Sequence, residues 1–419
     1  MRIRRKNNIQ IQKIQPFSFE EVKKSSEFIN GQQNYPLVFE KIPEALAKVI
    51  WRGPITDAGG YAGLNREYIL GLIDRGFKIS VDWMDTIVDV DPIQHQFFKD
   101  LQNTPKESFE NCVKVFGSTA LRDYHHPGYK VLYTMMETKR LHKDYVQFCN
   151  NVDEIWVPSK WCEKIFIESG VNVPIKYMPL GIDLDIYDPS ICPLPQVKQI
   201  TKNFTFLSVF GWSERKGISM IRAFLEAFTS KDDVTLLLST RYAGSVHETQ
   251  KNVIREYFQK ELIPKCKNKD LPHVILFLDI MPENLMPRLY KSCQAFFLIS
   301  KGEGFGRPYL EAGAMGLPIV ASNYSGHTDF LNKRNSYLIR PSGFKIQPEM
   351  NWITDFYKDQ EFPYFDEKKI DECAELLRYV YNKYYKAKKK SQKLQKLIQK
   401  KFQLHQCIDN VGNRLLNLM

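Results

Sequence analysis

The sequence predicts an α/β protein with two Rossmann-like domains, each a doubly wound parallel sheet, that face one another across a cleft. Three observations lead to this fold class. Strand-like and helix-like stretches alternate along the chain, the alternation stops at a proline-rich connector and then restarts, and 419 residues suffice for two domains of ordinary size. The predicted boundaries are an N-terminal extension at 1–45, a first domain at 46–195, a second domain at 196–365, and a lysine-rich helical segment at 366–419 that can pack back on the first domain.

The first domain begins with a strand–helix–strand unit. An apolar strand is predicted at 47–51, apolar residues recur at helical spacing over 64–73, and Gly76 ends that helix before a strand at 77–83. Further strands are expected at 113–117, 130–135 and 154–157, and helices at 141–150 and 159–169.

The second domain follows a connector marked by Pro189, Pro193 and Pro195, and it opens with a strand at 204–211. The same alternation then implies a second parallel sheet with helices on both faces. Strands are expected at 234–240, 274–278, 295–300 and 318–322, and helices at 218–229, 248–262, 283–292 and 308–315.

The composition is typical of a soluble globular protein, with 43% hydrophobic and 26% charged residues. No apolar run is long enough to span a bilayer, and the basic segment 1–13 lacks the apolar stretch of a secretory signal. The eight cysteines are scattered without a CxxC pair, which argues against a zinc cage and a disulfide framework. These features favour a reducing, cytoplasmic location.

The net charge is +11, and part of the excess comes from lysines crowded into 383–401. Such a run could contact acidic lipids or a nucleic acid, although blocks of like charge more often form a solvated helix face. We expect no nucleic-acid partner and at most a peripheral contact with an acidic membrane surface.

The most informative segment is 302–322, GEGFGRPYLEAGAMGLPIVAS, which follows a buried strand and opens a helix. Pro308 suits the first helical turn, where its missing N–H would be unpaired anyway. Gly304 and Gly306 let a ligand approach the backbone N–H groups at the positive end of the helix. Such a site is suited to a diphosphate.

Two carboxylates frame this segment, because Glu303 lies in the loop and Glu311 in the first turns of the helix. Both can face one pocket and accept hydrogen bonds from sugar hydroxyls. Their seven-residue separation and their context resemble the signature of family 4 retaining glycosyltransferases, the glycosyl transferases group 1, which have the GT-B fold.

The resemblance implies a retaining, metal-independent transferase that moves a hexosyl or related group in glycan or glycoconjugate synthesis. It implies no cofactor, since a nucleoside diphosphate sugar serves as the donor substrate, and the acceptor would be a glycan, a lipid-linked group or a protein. Glu303 would contact the donor sugar and Glu311 the ribose. The backbone of Gly304, Phe305 and Gly306 would bind the sugar and the diphosphate.

The segment 209–217, VFGWSERKG, resembles the basic diphosphate loop of the same family. Arg215 and Lys216 would neutralise the departing diphosphate in place of a metal. The family commonly has an arginine directly after the first glycine, where this sequence has Trp212, so Arg215 is the candidate replacement.

The loop 51–63 resembles the glycine-rich loop that faces the donor phosphates from the other domain, with Gly59 and Gly60 as the contacts. A plain strand-to-helix turn is the alternative. The loop 279–285 is similar to the family's base-binding loop, with core packing of its apolar residues as the alternative. Ser325-Gly326-His327 is interpreted as a structural turn, and the alternative is that it borders the same pocket.

In the first domain, ETKRL at 137–141 and DEIWVPS at 153–159 resemble one branch of the family. Glu137 follows a parallel strand at the edge where such sheets bind ligands. It is therefore a candidate carboxylate for the acceptor or the reacting centre, and a helix cap is the alternative. Many relatives use a histidine in the cleft, for which His125 and His126 are candidates.

Two other functions are open to this sequence. The triplets Asp89-Val90-Asp91 and Asp183-Leu184-Asp185 fit the cation-binding pair of a metal-dependent GT-A transferase, although such triplets also arise by chance. A catalytically silent GT-B module that binds a sugar nucleotide or a partner is the other alternative, against which the intact Glu303, Glu311 and Lys216 argue.

Overall fold

The computed structural model describes residues 9–10, 47–57, 59–84, 92–104, 109, 112–118, 128–242, 247–350 and 355–419. Two parallel sheets flanked by helices confirm the predicted fold class. The predicted N-terminal extension lies outside the described residues except for Ile9–Gln10 (β1), which pairs with a strand of the second sheet. None of the described helices is long and apolar enough to cross a membrane.

The first domain is built on a six-stranded sheet in the order β3-β2-β4-β5-β6-β7, in which every neighbouring pair is parallel. Its strands are β2 (Ala47–Gly53), β3 (Phe77–Trp83), β4 (Val113–Phe116), β5 (Lys130–Tyr133), β6 (Glu154–Val157) and β7 (Ile175–Tyr177). Its helices are α1 (Gly60–Ile73), α2 (Pro92–Gln102), α3 (Lys143–Cys149) and α4 (Lys160–Glu168).

The second domain contains a seven-stranded parallel sheet in the order β1-β10-β9-β8-β11-β12-β13. Its strands after β1 are β8 (Phe204–Trp212), β9 (Val234–Tyr242), β10 (His273–Phe277), β11 (Ala295–Leu298), β12 (Ile319–Ser322) and β13 (Tyr337–Ile339). Its helices are α5 (Pro195–Ile200), α6 (Arg222–Ala227), α7 (Glu248–Tyr257), α8 (Met286–Lys291) and α9 (Arg307–Ala314).

An antiparallel hairpin that the alternation of strands and helices does not predict follows the second sheet. It pairs β14 (Gly343–Ile346) with β15 (Glu361–Tyr364). Side chains of this region, Tyr357 and Phe362 among them, belong to the same apolar cluster as Tyr145 of the first domain. The hairpin region therefore reaches across the cleft.

The C-terminal segment forms three helices, α10 (Glu367–Asn382), α11 (Tyr384–Lys401) and α12 (Leu404–Leu416). Helix α11 packs on α9 of the second domain, whereas α12 packs on α1 of the first. The segment thus contacts both domains.

The chain passes between the domains twice, and the two passages lie side by side. The backbone N–H of Ile182 donates to Phe402 O at 2.8 Å, and the N–H of Leu404 donates to Ile182 O at 3.0 Å. Neighbouring Gly181 lies so close to Leu404 that a Cβ atom would overlap its backbone. A glycine is therefore required where the passages touch.

One buried ion pair fastens α12 to the first sheet. Glu154 has no exposed surface, and its Oε1 accepts hydrogen bonds from Arg414 Nε at 2.8 Å and from Trp156 Nε1 at 2.7 Å. A second bond joins Arg414 Nη2 to Glu154 Oε2.

We predict that Arg414→Met lowers the free energy of unfolding of the first domain by about 3–5 kcal/mol, because it leaves a carboxylate buried without its countercharge. Urea denaturation followed by tryptophan fluorescence would measure the loss. Lys164→Met, which breaks an exposed pair with Glu168, is the matched control and should cost less than about 1 kcal/mol. Equal effects of the two substitutions would contradict the prediction.

Candidate active site

The predicted basic loop forms where β8 ends at the edge facing the cleft. It is a single 3-10 turn at Glu214–Lys216, and Arg215 O accepts the N–H of Lys301 at 2.7 Å. Trp212, which occupies the position of the family's arginine, is 4% exposed and packs against Tyr257 with ring centroids 5.5 Å apart. Because Trp212 belongs to the core, Arg215 is the arginine that this loop directs to the cleft.

Lys216 and Arg215 converge on Glu303. Lys216 Nζ lies 2.7 Å from Glu303 Oε1 and 2.8 Å from Oε2, and Arg215 Nη1 lies 3.8 Å from Oε2. Arg215 Nη1 also donates to Gly302 O at 2.6 Å. Its Nε is buried and finds no hydrogen-bond partner among the described residues.

The charges of this cluster are set by their neighbours. Burial alone would raise the pKa of Glu303, but Lys216 and Arg215 more than offset it and hold that pKa below its ordinary value. Burial, and then the charge of Arg215, lower the pKa of Lys216. Lys216 and Arg215 therefore both stabilise the charged form of the Glu303 carboxylate.

Glu137 lies in the same cluster. Its Oε1 is 3.3 Å from Arg215 Nη1, and its Oε2 accepts a hydrogen bond from Tyr357 Oη. Burial, and then Glu137 itself, raise the pKa of Tyr357 well above its ordinary value, which keeps the hydroxyl protonated. His142, not Glu137, caps the helix that follows, so the helix-cap alternative for Glu137 is wrong.

The loop before α9 lies against the first domain, where Gly304 O accepts a hydrogen bond from Ser159 Oγ at 2.7 Å. None of the described residues accepts a hydrogen bond from the N–H of Gly304, Phe305 or Gly306. Gly306 has φ of 93°, a left-handed conformation that favours glycine. The side chain of Phe305 packs into the core, with its ring centroid 5.3 Å from that of Phe330, which leaves Phe305 only its backbone for a ligand.

Glu311 lies one turn into α9 and is 8% exposed. Its Oε2 accepts a hydrogen bond from Tyr290 Oη at 2.7 Å, and its Oε1 accepts one from Arg307 Nε at 3.3 Å. Burial raises its pKa, and Arg307 counteracts that rise. Arg307 also forms an ion pair with Glu67 of the first domain. Glu67, Arg307 and Tyr290 were not among the predicted site residues, although Arg307 lies inside the motif.

The glycine pair of the first domain opens α1. Gly59 caps the helix with φ of −77°, so neither its conformation nor that of Gly60 requires glycine. A Cβ atom on Gly60 would meet nothing within 4 Å, which leaves open space beside the helix end. On the same helix, Arg66 forms an ion pair with Glu283 of the predicted base loop. The helix that the glycine pair opens therefore contacts the second domain through Arg66.

The triplet at 325–327 supports the loop that contains Glu303. Ser325 Oγ accepts the N–H of Glu303 at 2.8 Å. His327 has no exposed surface, and its ring stacks on that of Tyr309 at 4.5 Å. Burial lowers the pKa of His327 to about 4, so the side chain is neutral. This agrees with the interpretation of the triplet as a structural turn.

The remaining candidates divide into two groups. His125, His126 and the triplet Asp89-Val90-Asp91 lie outside the described residues. In the other acidic triplet, Asp183 Oδ1 accepts the N–H of Asp185 at 2.9 Å, which stabilises a local turn. The two-sheet fold excludes the GT-A alternative.

Comparisons with known proteins agree with the two-sheet fold. Residues 196–363 match the family glycosyl transferases group 1. The fold resembles that of HepE from Anabaena, solved in complex with UDP and glucose, with a TM-score of 0.64 and 14% identity over 88% of this chain and 100% of that one. Among the curated proteins, none matches the sequence.

Two further solved structures have the same fold. Sucrose-phosphate synthase from Thermosynechococcus elongatus gives a TM-score of 0.63 at 13% identity, over 89% of this chain and 99% of that one. A glycosyltransferase from Rickettsia africae gives 0.61 at 13% identity, over 89% and 98%. Through residues 196–363, the chain therefore carries a glycosyl transferases group 1 domain within a two-domain GT-B fold.

Proposed function

We propose that this protein is a retaining glycosyltransferase that uses a nucleoside diphosphate sugar without a metal ion. The observation that carries the proposal is the convergence of Arg215 and Lys216 on Glu303, beside the free N–H groups that begin at Gly304. This arrangement supplies positive charge for a diphosphate and a carboxylate for sugar hydroxyls in one pocket.

In the reaction, the bond between the anomeric carbon and the diphosphate oxygen breaks, and its electron pair leaves on that oxygen. Arg215, Lys216 and the loop amides stabilise the charge as it develops, because they are fixed in place before the reaction. The oxygen of the acceptor hydroxyl forms the new bond to the anomeric carbon, and its proton passes to the carboxylate of Glu137. The configuration at that carbon is retained.

The two glutamates of the motif hold different parts of the donor in this proposal. Glu303 accepts hydrogen bonds from the hydroxyls of the transferred sugar, and Glu311 accepts them from the ribose. UDP is the first nucleotide to test because HepE, which has the same fold, was solved with UDP and glucose.

The acceptor is held by Glu137. Its carboxylate lies within 3.3 Å of Arg215 and is oriented by Tyr357, so it adjoins the diphosphate site. A carboxylate in this place can accept a hydrogen bond from the attacking hydroxyl of a glycan, lipid-linked or protein acceptor.

We place the protein in the cytoplasm, where it acts at an acidic membrane surface. The supporting features are eight free cysteines, seven of them buried, and the basic helix α11. Its apolar side, which includes Ala387, Leu394 and Ile398, is buried, whereas the opposite side exposes lysines.

Turnover of UDP-glucose or the corresponding GDP or ADP sugar should persist in excess EDTA, because cationic side chains and amides replace the charge of a cation. Release of the nucleoside diphosphate would be measured with and without the chelator. Activity that disappears in EDTA and returns with Mn²⁺ would refute metal independence. A protein that binds donor but releases no product from any sugar or acceptor would be the silent module.

Kinetics should separate the roles of Glu311 and Lys216. Glu311→Gln removes a charge-assisted hydrogen bond worth about 1.5–3 kcal/mol in both ground and transition states, so the donor KM rises and kcat stays nearly level. Lys216→Ala removes stabilisation that grows as the diphosphate departs, so kcat falls on the order of 10²–10³.

Lys260→Ala is the control for the lysine substitution, since Lys260 is exposed in the same domain and pairs only locally with Glu256. It should leave kcat and KM unchanged. If Glu311→Gln abolished kcat while the donor affinity held, Glu311 would belong beside the reacting carbon and not at the ribose.

The membrane contact can be tested by charge removal on one side of α11. Replacing Lys389, Lys393, Lys396 and Lys400 with Gln should weaken binding to vesicles of phosphatidylcholine and phosphatidylglycerol at least about tenfold, since each lysine near such a surface contributes about 1 kcal/mol. Cosedimentation at physiological salt would measure the binding.

An equal number of exposed lysines elsewhere provides the matched control, which replaces Lys164, Lys231, Lys260 and Lys265 with Gln. This variant keeps the same net charge as the first. Equal losses in the two variants, or no binding by the unmodified protein, would show that α11 is only a solvated helix.

A further inference from the structure

We propose that Arg307 is a positioning residue that links the ribose-binding carboxylate of Glu311 to the first domain through Glu67. The inference rests on the proposed function, because it assigns a task to side chains beside the nucleotide. We infer that Glu67 holds the two terminal nitrogens of Arg307 away from Glu311 and thereby leaves acceptor capacity on Glu311 for a ribose.

The guanidinium of Arg307 bonds to two carboxylates, Glu311 in its own domain and Glu67 in the other. Arg307 is the first residue of α9, and Glu311 follows it by one turn on the same face. Arg307 Nε donates to Glu311 Oε1 at 3.3 Å, a long hydrogen bond. Both terminal nitrogens of Arg307 instead bond to Glu67, with Nη1 2.9 Å from Oε2 and Nη2 paired to Oε1. The two terminal nitrogens of Arg307 therefore bind the first domain through Glu67.

This division leaves acceptor capacity on Glu311. A carboxylate offers about four lone-pair positions, and the hydroxyls of Tyr290 and Tyr187 and the Nε of Arg307 take three of them. The remaining position can accept a hydrogen bond from a ribose hydroxyl. If Glu67 lost its charge, the terminal nitrogens of Arg307 would turn to Glu311 and compete with the ribose for its carboxylate oxygens.

The same contacts connect nucleotide binding to the approach of the domains. Glu67 belongs to α1 of the first domain, so it can hold Arg307 only while the two domains are together. A ribose on Glu311 and the Glu67–Arg307 pair therefore favour one another, and by linkage the effect is reciprocal. The neighbouring pair of Arg66 and Glu283 crosses the cleft too, but it does not contact Glu311.

The experiment measures recognition of the ribose directly. Dissociation constants of UDP and 2′-deoxyUDP are determined by calorimetry for the unmodified protein and for Glu67→Gln, with GDP, ADP and their 2′-deoxy forms in parallel. The unmodified protein should prefer UDP by about tenfold or more, as expected for a hydrogen bond to a charged group. In Glu67→Gln the affinity for UDP should fall at least about fivefold, and the preference over 2′-deoxyUDP should shrink toward unity.

A rescue variant distinguishes positioning from structural support. Adding Arg307→Met to Glu67→Gln removes the competing guanidinium together with its partner, so the preference for UDP over 2′-deoxyUDP should return. Asp409→Asn is the matched control, because Asp409 pairs with Arg75 just beyond the C-terminal end of α1, far along the helix from Glu67. It should keep both the affinity and the preference, and melting temperatures would verify that all variants fold.

The outcomes separate this inference from the proposed function. If Glu67→Gln weakens UDP and 2′-deoxyUDP equally, or the double variant fails to restore the preference, Glu67 and Arg307 only fasten the domains and the inference is wrong. If the unmodified protein binds none of UDP, GDP and ADP, the proposed function fails. If it binds UDP and 2′-deoxyUDP alike, the assignment of Glu311 to the ribose fails and the inference with it.

Discussion

Glu303 is buried and Lys216 is largely so, and each stabilises the charge of the other, since an isolated buried charge is strongly unfavourable. Other charged side chains of the cleft are paired in the same way. Glu137 faces Arg215, and Glu311 faces Arg307. In the pair of Glu137 and Arg215, the partners come from different domains. The cleft is therefore a property of the assembled protein, and its charges are in place before any ligand arrives.

Most of the fold could be predicted because buried parallel strands are short apolar runs between turn residues. The strand expected at 204–211 is Phe204–Trp212, and the one at 154–157 is Glu154–Val157. Helices were predicted less well, since the stretch 248–262 changes from an α-helix to a π-helix at Phe258. The hairpin of β14 and β15 was missed because tertiary packing against Tyr145, and not a local pattern, holds it there.

The residues of the candidate site, too, could be predicted only where they lie in a local motif. Glu303 and Lys216 could be proposed from the sequence because each lies in a local motif, and the structure brings them together. Tyr357 could not, since it contacts Glu137 across 220 residues of chain and carries no motif of its own. Arg307 was within the motif, yet its partner Glu67 became visible only when the two domains were placed side by side.

The two neighbouring passages of the chain at Ile182 and Phe402 have a mechanical consequence. Because their backbones are hydrogen-bonded to each other and Gly181 lies directly against Leu404, this place resists sliding and stretching. We expect relative motion of the domains to be chiefly a rotation about this place. In such a rotation, the side of the cleft that lies farthest from Ile182 and Phe402 moves the greatest distance.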